Sequence, residues 1–229
     1  MSGNEHFRPE LFEFLRELRE NNNKEWFAAN RERYETNVRE PLLGFVSDFG
    51  PRLHEISRNF VADPRKSGGS MFRIHRDTRF SRDKTPYKTH AAAQFNHVKG
   101  KNVHSPGFYI HLEPDNVFAG NGIWHPDSKT LAKIRDRIIA HPNRWREAIS
   151  GKSFTDMCTL SGDSLKRHPR VYDPDHPLIE DLKRKDFISI TLFAEADACS
   201  PDFLDRFTQA CRAAAPFVEF LTTAVGLEW

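Results

Sequence analysis

The chain has 229 residues, of which 29% are charged and 38% hydrophobic, and this balance is typical of a globular protein rather than a disordered one. The formal net charge of +2 is too small to indicate a polyanionic partner by itself. Cys158, Cys199 and Cys211 form no C-x-x-C motif, which argues against a disulfide framework or a cysteine-built zinc site. The polar N-terminus and the lack of a long apolar run predict a soluble cytoplasmic protein with no membrane partner.

Apolar residues at helical spacing mark the N-terminal part of the chain. The run from Leu11 to Leu18 predicts a short amphipathic helix that ends at Asn21-Asn22-Asn23. One of these asparagines is expected to cap the next helix, which carries an apolar stripe from Trp26 to Val38. Pro41 is expected to end or kink this helix, or to begin a new one at its first turn.

The middle of the chain changes to the period-two alternation of strands. Strands are predicted at 71–75, 88–97, 108–112, 117–124 and, further along, 188–193. The turn residues Pro114-Asp115-Asn116 predict that the third and fourth of these form a hairpin.

Helices are expected again after Pro126 and from about 201 to 223, where Pro216 should introduce a kink. The intervening stretch 150–177 is predicted to be irregular. Together the elements predict a single α+β domain over residues 1–229, with N- and C-terminal helices packed on an antiparallel or mixed central sheet.

A basic segment at residues 73–90 is the most unusual feature of the sequence. Its residues between 73 and 88 include six basic side chains and two acidic ones, a balance of +4 that exceeds the formal charge of the whole chain. Arginine presents a planar fork of donors that matches phosphate and carboxylate oxygens, and a loop between two strands can direct several such forks at one ligand. The segment therefore predicts a binding site for a small anionic ligand, with a phosphorylated or carboxylated metabolite as the expected class.

Two other interpretations of the basic segment remain open. Arg76 and Arg79 could pair with nearby carboxylates and serve only to hold the loop in place. Alternatively, the mixture of basic side chains with Phe80 and Tyr87 could form a surface for nucleic acid or a protein partner, in a non-catalytic adaptor.

The alternation of the strands suggests which side chains share a surface. Residues two apart in a strand point to the same face, so neighbouring strands would place six polar side chains together. These are Arg73, His75, Lys88, His90, Tyr109 and His111. The candidate catalytic acid–base residues are His75 and His90. The candidate ligand-binding residues are Arg73, Arg76, Arg79, Lys84, Tyr87, Lys88, Tyr109 and His111. Gly120 and Gly122 would leave room for a ligand or a packed element.

Several catalytic and cofactor motifs are missing from the sequence. No G-x-S-x-G, P-loop or G-x-G-x-x-G pattern occurs, and no histidine pair has the spacing of a helical zinc site. Alternating metal-capable residues, namely His75, Asp77, His90, His111 and His125, could build a facial site on a sheet. The nearby arginines would disfavour a bound cation, so neither a metal nor a cofactor is predicted.

Three stretches carry a resemblance to a known family. They are Asn22-Asn23-Lys24-Glu25-Trp26-Phe27 with Asn30-Arg31 and Tyr34; Phe72 to Phe80 with Lys84-Thr85-Pro86-Tyr87-Lys88; and Gly107-Phe108-Tyr109 with Gly120-Asn121-Gly122-Ile123-Trp124. Together they resemble the domain-of-unknown-function 2461 family of bacteria and fungi over nearly the whole chain. The resemblance implies a single domain and adds no catalytic role to any residue.

Overall fold

A computed structural model of the chain describes residues 6–100 and 105–229. Its strands are β1 (Ala91–Asn96), β2 (Gly107–Glu113), β3 (Asn116–Ile123), β4 (Thr159–Ser161) and β5 (Phe187–Phe193). They form one antiparallel sheet in the order β1–β2–β3–β5–β4. The predicted α+β fold is confirmed, and of the two predicted kinds of sheet the antiparallel one is present.

Helices precede, interrupt and follow the sheet. The N-terminal group comprises α1 (Pro9–Glu20), α2 (Lys24–Ala29), α3 (Arg31–Tyr34) and α4 (Glu40–Ile56), with a π-turn at Glu35–Arg39 between the last two. Between β3 and β5 lie α5 (Ser128–Ala140), α6 (Pro142–Ser150), α7 (Lys152–Met157) and α8 (Ile179–Leu182), and the chain closes with α9 (Glu195–Ala198) and α10 (Phe203–Ala224). In the described part of the chain, no helix combines the length and the apolar character needed to cross a membrane.

The main core lies between one face of the sheet and helices α1, α4 and α10. Phe49 of α4 meets Phe95 of β1 at a ring-centroid distance of 4.7 Å and Phe207 of α10 at 5.0 Å. Phe108 and Ile110 of β2 are buried against these helices. Because side chains alternate along a strand, Tyr109 and His111 therefore point to the opposite face of the sheet. That opposite face carries one of the two cavities described below.

Local signals in the sequence account for several element boundaries. The side chain of Asn23 accepts a hydrogen bond of 2.8 Å from the backbone N–H of Trp26 and so caps α2, as predicted. Pro41 lies in the first turn of α4, which was one of its three predicted roles. The π-turn at Glu35–Arg39 lies just before Pro41. Proline has no backbone N–H to donate, and the wider turn lies where the regular hydrogen-bond pattern of the helix is interrupted. The hairpin of β2 and β3 is confirmed, with Asp115 in its turn at φ 65°.

The helix predicted along Trp26 to Val38 is divided into α2, α3 and the π-turn, and the strand predicted at 88–97 spans only Ala91–Asn96. Two other stretches differ in kind from the prediction. Residues 71–75 do not form a strand, because they make only isolated bridges, Met71 to Ala93 and His75 to Tyr87. The stretch 150–177 is not wholly irregular, because it contains α7 and β4. A three-residue edge strand such as β4 is stabilised by its pairing with β5 and is too short to show a periodic signal of its own. Helix α10 runs through Pro216.

Candidate functional site

The basic segment forms a loop that is closed at its base by backbone hydrogen bonds. Arg76 N donates to Pro86 O at 2.9 Å, and Lys88 N donates to Ile74 O at 2.8 Å. Asn22 also fastens this base, since its side chain exchanges two hydrogen bonds with the backbone of Tyr87. The loop is therefore attached to the start of α2, and a groove lies between them.

This groove has a volume of about 640 Å³ and is bounded by α2, α3, the π-turn and residues 66–75. We call it the basic groove. Buried apolar and aromatic side chains form its floor, and burial raises the pKa of the Tyr34 phenol to about 12, which keeps it protonated. The floor residues are Phe27, Tyr34, Ile74 and Tyr87.

Cationic side chains surround the basic groove. Lys24 and Arg31 lie on the helical wall, and Arg73 lies on the opposite wall; all three are exposed. Within residues 6–100 and 105–229, none of these three has a carboxylate at ion-pair distance. Arg39, by contrast, pairs with Glu35 at 2.8 Å. Lys66, which also lines the groove, lies 3.9 Å from Glu40. Among the described residues the groove thus presents three cations, Lys24, Arg31 and Arg73, that form no ion pair.

The tip of the loop lies outside this groove. Arg76 binds Asp83 and Thr85, and these contacts lower the pKa of the Asp83 carboxyl to about 2. Arg79 pairs with Asp77 at 2.6 Å. Neither arginine lines either of the two cavities described here, so the structure places both in the ion pairs that were the alternative prediction.

Lys84 also lies in this part of the loop, where its Nζ donates to Thr78 O at 2.8 Å. It too lines neither cavity. Arg76, Arg79 and Lys84 at the tip of the loop therefore contact other residues of the same loop.

A second cavity, of about 470 Å³, lies on the sheet face opposite α4 and α10. We call it the sheet-face cavity. Six polar residues were expected to share one surface. Four of them line this cavity, namely Lys88, His90, Tyr109 and His111. The other two, Arg73 and His75, line the basic groove. The six side chains therefore do not share one surface, because residues 71–75 leave the edge of β1 and turn toward α2.

Phe72 lines both cavities and separates them. The Lys88 ammonium lies over its ring, 5.0 Å from the centroid. The two histidines predicted as candidate acid–base residues, His75 and His90, consequently line different cavities.

A chain of hydrogen bonds follows β2 along the sheet-face cavity. Tyr109 Oη lies 2.8 Å from His111 Nδ1, and His111 Nε2 lies 3.2 Å from Glu113 Oε2. The Thr89 hydroxyl donates to the other oxygen of Glu113 at 3.0 Å. The ring of His90 adjoins that of His111, with centroids 4.5 Å apart. Two imidazoles and one carboxylate therefore meet at one end of this cavity.

Burial sets the protonation states of these groups. It lowers the pKa of His90 to about 4, with further lowering from His111 and Lys88, and it also lowers the pKa of His111. Burial alone would raise the pKa of Glu113, but hydrogen bonds from His111, Thr89 and other neighbours outweigh it, and the pKa lies below its ordinary value. At neutral pH the cluster therefore consists of two neutral imidazoles and a carboxylate.

A family model described as "Conserved hypothetical protein (DUF2461)" matches residues 10–220. The chain belongs to the DUF2461 family. No protein of curated function matches it significantly.

The three stretches that carry the resemblance have distinct positions in this DUF2461 chain. The first supplies the helical wall of the basic groove, which Arg31 and Tyr34 line and Asn30 does not. The second supplies the basic loop, and the third supplies β2 and β3 beneath the sheet-face cavity. All three stretches therefore surround the two cavities of this family member.

Several charged residues near the cavities were not among the predicted site residues of this DUF2461 chain, namely Lys24, Arg31, Glu35, Arg39, Lys66 and Glu113. Lys24 lines the basic groove. In the sequence it is a charged residue in the first turn of a predicted helix, and no pattern distinguished it from other surface lysines. Glu113 shares the polar face of β2 with Tyr109 and His111, so the period-two rule could have included it. Further residues of the sheet-face cavity come from distant strands and gave no local signal: Gln94, Phe118, Trp124 and Ile190.

Proposed function

We propose that the basic groove binds a small metabolite that carries a phosphate or a carboxylate. The observation that carries this proposal is the convergence of Lys24, Arg31 and Arg73 on one concave surface, where none of the three forms an ion pair with a described residue. Unneutralised cations that converge on a groove raise the local concentration of anions and can hold their oxygens by charge-assisted hydrogen bonds.

The floor of the groove defines the body of this ligand. The rings of Phe27 and Tyr87 are stacked with centroids 4.1 Å apart, and both residues are less than a tenth exposed. An apolar floor built on this stacked pair favours a ligand with an apolar body, since burial of that body removes apolar surface from water. The preferred ligand is therefore an anion joined to a ring, rather than inorganic phosphate alone.

His75 is the candidate acid–base residue of the basic groove. It lies on the same wall as Arg73, and its ring centroid is 5.1 Å from that of Tyr87. An imidazole is the side chain that proteins most often use to transfer a proton to or from a bound ligand. If the groove is catalytic, His75 is the acid or base and His90 is not, because His90 lies in the other cavity.

Isothermal titration calorimetry with phenyl phosphate and with inorganic phosphate tests the binding proposal. We expect saturable binding of both, with phenyl phosphate tighter because its ring contacts the aromatic floor. Arg73→Ala or Arg31→Ala should weaken binding about tenfold or more, the effect of losing a charge-assisted hydrogen bond. Arg79→Ala is the matched control from the same loop and should bind as the unaltered protein does, because Arg79 lines neither cavity.

The opposite pattern would overturn the proposal. If neither probe binds, or if Arg79→Ala weakens binding as much as Arg73→Ala, the groove is not an anion site. The proposal is supported if only Arg73→Ala and Arg31→Ala weaken ligand binding. Unchanged melting temperatures of these variants would show that the loss is one of binding and not of stability.

Single-stranded nucleic acid is a second candidate ligand, favoured by one observation at the tip of the loop. Phe80 is 95% exposed, and the Arg79 guanidinium carbon lies 5.9 Å from its ring centroid. An exposed aromatic ring beside a cation is a platform on which a base can stack. Fluorescence anisotropy with a short single-stranded oligonucleotide should then show steeply salt-dependent binding that Phe80→Ala weakens and Arg31→Ala does not. Salt-independent or absent binding would exclude this candidate.

A further inference from the structure

Three metal-capable side chains converge at one end of the sheet-face cavity. One donor atom from each of His90, His111 and Glu113 lies within 4.8 Å of the others. The strand register explains this, because Ala91 pairs with Leu112 and so brings His90, which directly precedes β1, beside Glu113. An ion with bonds of about 2.1 Å in tetrahedral geometry holds its ligand atoms about 3.4 Å apart. Small side-chain rotations are therefore enough to bring the three atoms to coordination distance.

The surroundings of His111 match those of a metal ligand. A metal-bound histidine usually uses its second ring nitrogen in a hydrogen bond that fixes the orientation of the ring. Here Tyr109 Oη lies 2.8 Å from Nδ1, while Nε2 faces Glu113. The ring is also stacked on Phe118, with centroids 4.6 Å apart. When Nε2 binds an ion, Nδ1 carries the proton and donates it to the tyrosine oxygen.

Glu113 is held in a similar way. Its Oε1 accepts a hydrogen bond of 3.0 Å from the Thr89 hydroxyl, and Arg19 lies 3.8 Å from the same oxygen. Its Oε2 faces His111 at 3.2 Å and also accepts a long hydrogen bond of 3.4 Å from Asn116 Nδ2, so it is the oxygen directed at the second ligand. A carboxylate that is oriented by hydrogen bonds from its neighbours is typical of supported metal sites.

The arginines of the basic segment lie away from this cluster, since Arg73 lines the basic groove and Arg76 and Arg79 pair at the tip of the loop. Arg19 does adjoin the cluster, but it pairs with Glu113 Oε1, the oxygen that does not face His111. Among the described residues that line this cavity, the lysine is Lys88, whose ammonium lies over the Phe72 ring, 5.0 Å from its centroid. Lys88 is therefore suited to contact an anionic molecule that occupies the rest of the cavity.

We propose that His90, His111 and Glu113 bind a divalent first-row transition-metal ion, such as Zn²⁺ or Fe²⁺, on the sheet face. Two imidazoles and one carboxylate on one side of the ion leave coordination positions open toward the cavity, where a water or a small ligand can bind. The site is separate from the basic groove and does not depend on the function proposed for that groove.

Titration of chelator-treated protein with Co²⁺ tests the site, because Co²⁺ reports its ligands through visible absorption, and calorimetry with Zn²⁺ gives the affinity. We expect one ion per chain. His90→Gln and Glu113→Gln should each reduce the affinity at least about a hundredfold, and Tyr109→Phe about ten- to a hundredfold, the range found when a supporting hydrogen bond is removed. His54→Gln, at an exposed histidine of α4, is the matched control and should leave the affinity unchanged.

A second pair of variants keeps the proposal testable if Glu113→Gln fails to fold. His90→Gln retains most of the side-chain volume, and His54→Gln changes an exposed histidine on α4, on the opposite side of the sheet. Loss of the Co²⁺ spectrum in His90→Gln, with the spectrum intact in His54→Gln, supports the site. Absence of stoichiometric binding, or equal binding in His90→Gln and the unaltered protein, would overturn it.

Discussion

Asn22 and Tyr87 are joined by two reciprocal hydrogen bonds, although 65 residues separate them. Asn22 Nδ2 donates to Tyr87 O at 2.9 Å, and Tyr87 N donates to Asn22 Oδ1 at 3.0 Å. The side-chain amide therefore pairs with the backbone as a neighbouring strand would. This contact holds the first turn of α2 and the base of the basic loop at a fixed separation, which defines the width of the basic groove.

Asn22→Ala should lower the free energy of unfolding by about 1–3 kcal/mol, because it leaves a backbone donor and acceptor of a buried residue without their partner. It should also weaken the binding of phenyl phosphate, since the two walls of the groove are no longer held together. Urea unfolding and calorimetry measure the two effects. Asn21→Ala is the control, because Asn21 donates to Glu17 O at the end of α1 rather than across the groove. Equal losses in the two variants would contradict this role of Asn22.

The ion pair of Arg76 and Asp83 predicts an acid-shifted carboxyl at the tip of the loop. Hydrogen bonds from Arg76 and from Thr85 stabilise the carboxylate and lower the pKa of Asp83 to about 2. A carboxyl whose folded pKa is depressed stabilises the fold above its unfolded pKa, and this contribution is lost as the pH falls through the folded value. The pair is therefore complete at neutral pH and disrupted below about pH 2.

NMR titration of the side-chain carboxyl carbons measures this directly. Arg76→Ala should raise the pKa of Asp83 toward its ordinary value. The pKa of Asp77, which Arg79 lowers to about 2, should not change in that variant. A parallel shift of both carboxyls would mean that the loop has rearranged rather than lost one pair.

The two glycines of β3 should differ in their tolerance of alanine. Gly122 has φ 111°, and a Cβ there would lie 2.1 Å from Phe187 O and 2.8 Å from Phe217, so Gly122→Ala should destabilise by at least about 2 kcal/mol. At Gly120 the nearest atom is Tyr109 Cδ1 at 3.3 Å, on the side of the sheet-face cavity. Gly120→Ala should cost less and should instead reduce the space in that cavity. Urea unfolding of both variants tests this order, and a larger loss in Gly120→Ala would contradict it.

The three cysteines should react at different rates with a thiol reagent. Burial raises the pKa of Cys158 and, more strongly, that of Cys211, which reduces the fraction of reactive thiolate. Cys199 is only partly buried. Native protein should therefore show a single rapidly reacting thiol that Cys199→Ser removes, and all three should react in urea. A rapid phase that persists in Cys199→Ser would show that one of the buried thiols is accessible.

Local patterns in the sequence predicted much of the fold. Alternation identified β2, β3 and β5, and the turn at Pro114 predicted their first hairpin, because half-buried strands must place apolar residues at every second position. The asparagine cap of α2 and the place of Pro41 followed from backbone hydrogen bonding at helix ends. These features depend on residues close in the chain, and the family assignment depends on the same stretches.

The sequence by itself thus determined most of the element types, the antiparallel hairpin and the concentration of charge in residues 73–90, but not the isolated bridges at 71–75 or the short elements α7 and β4. Only the tertiary structure decided how that charge is used: Arg76 and Arg79 pair with their own loop, whereas Arg73 joins Lys24 and Arg31 from another element. It also decided that His90 meets His111 and Glu113 rather than His75. The physical reason is that charges and hydrogen bonds act over a few ångströms in space, and the path of the folded chain sets these distances.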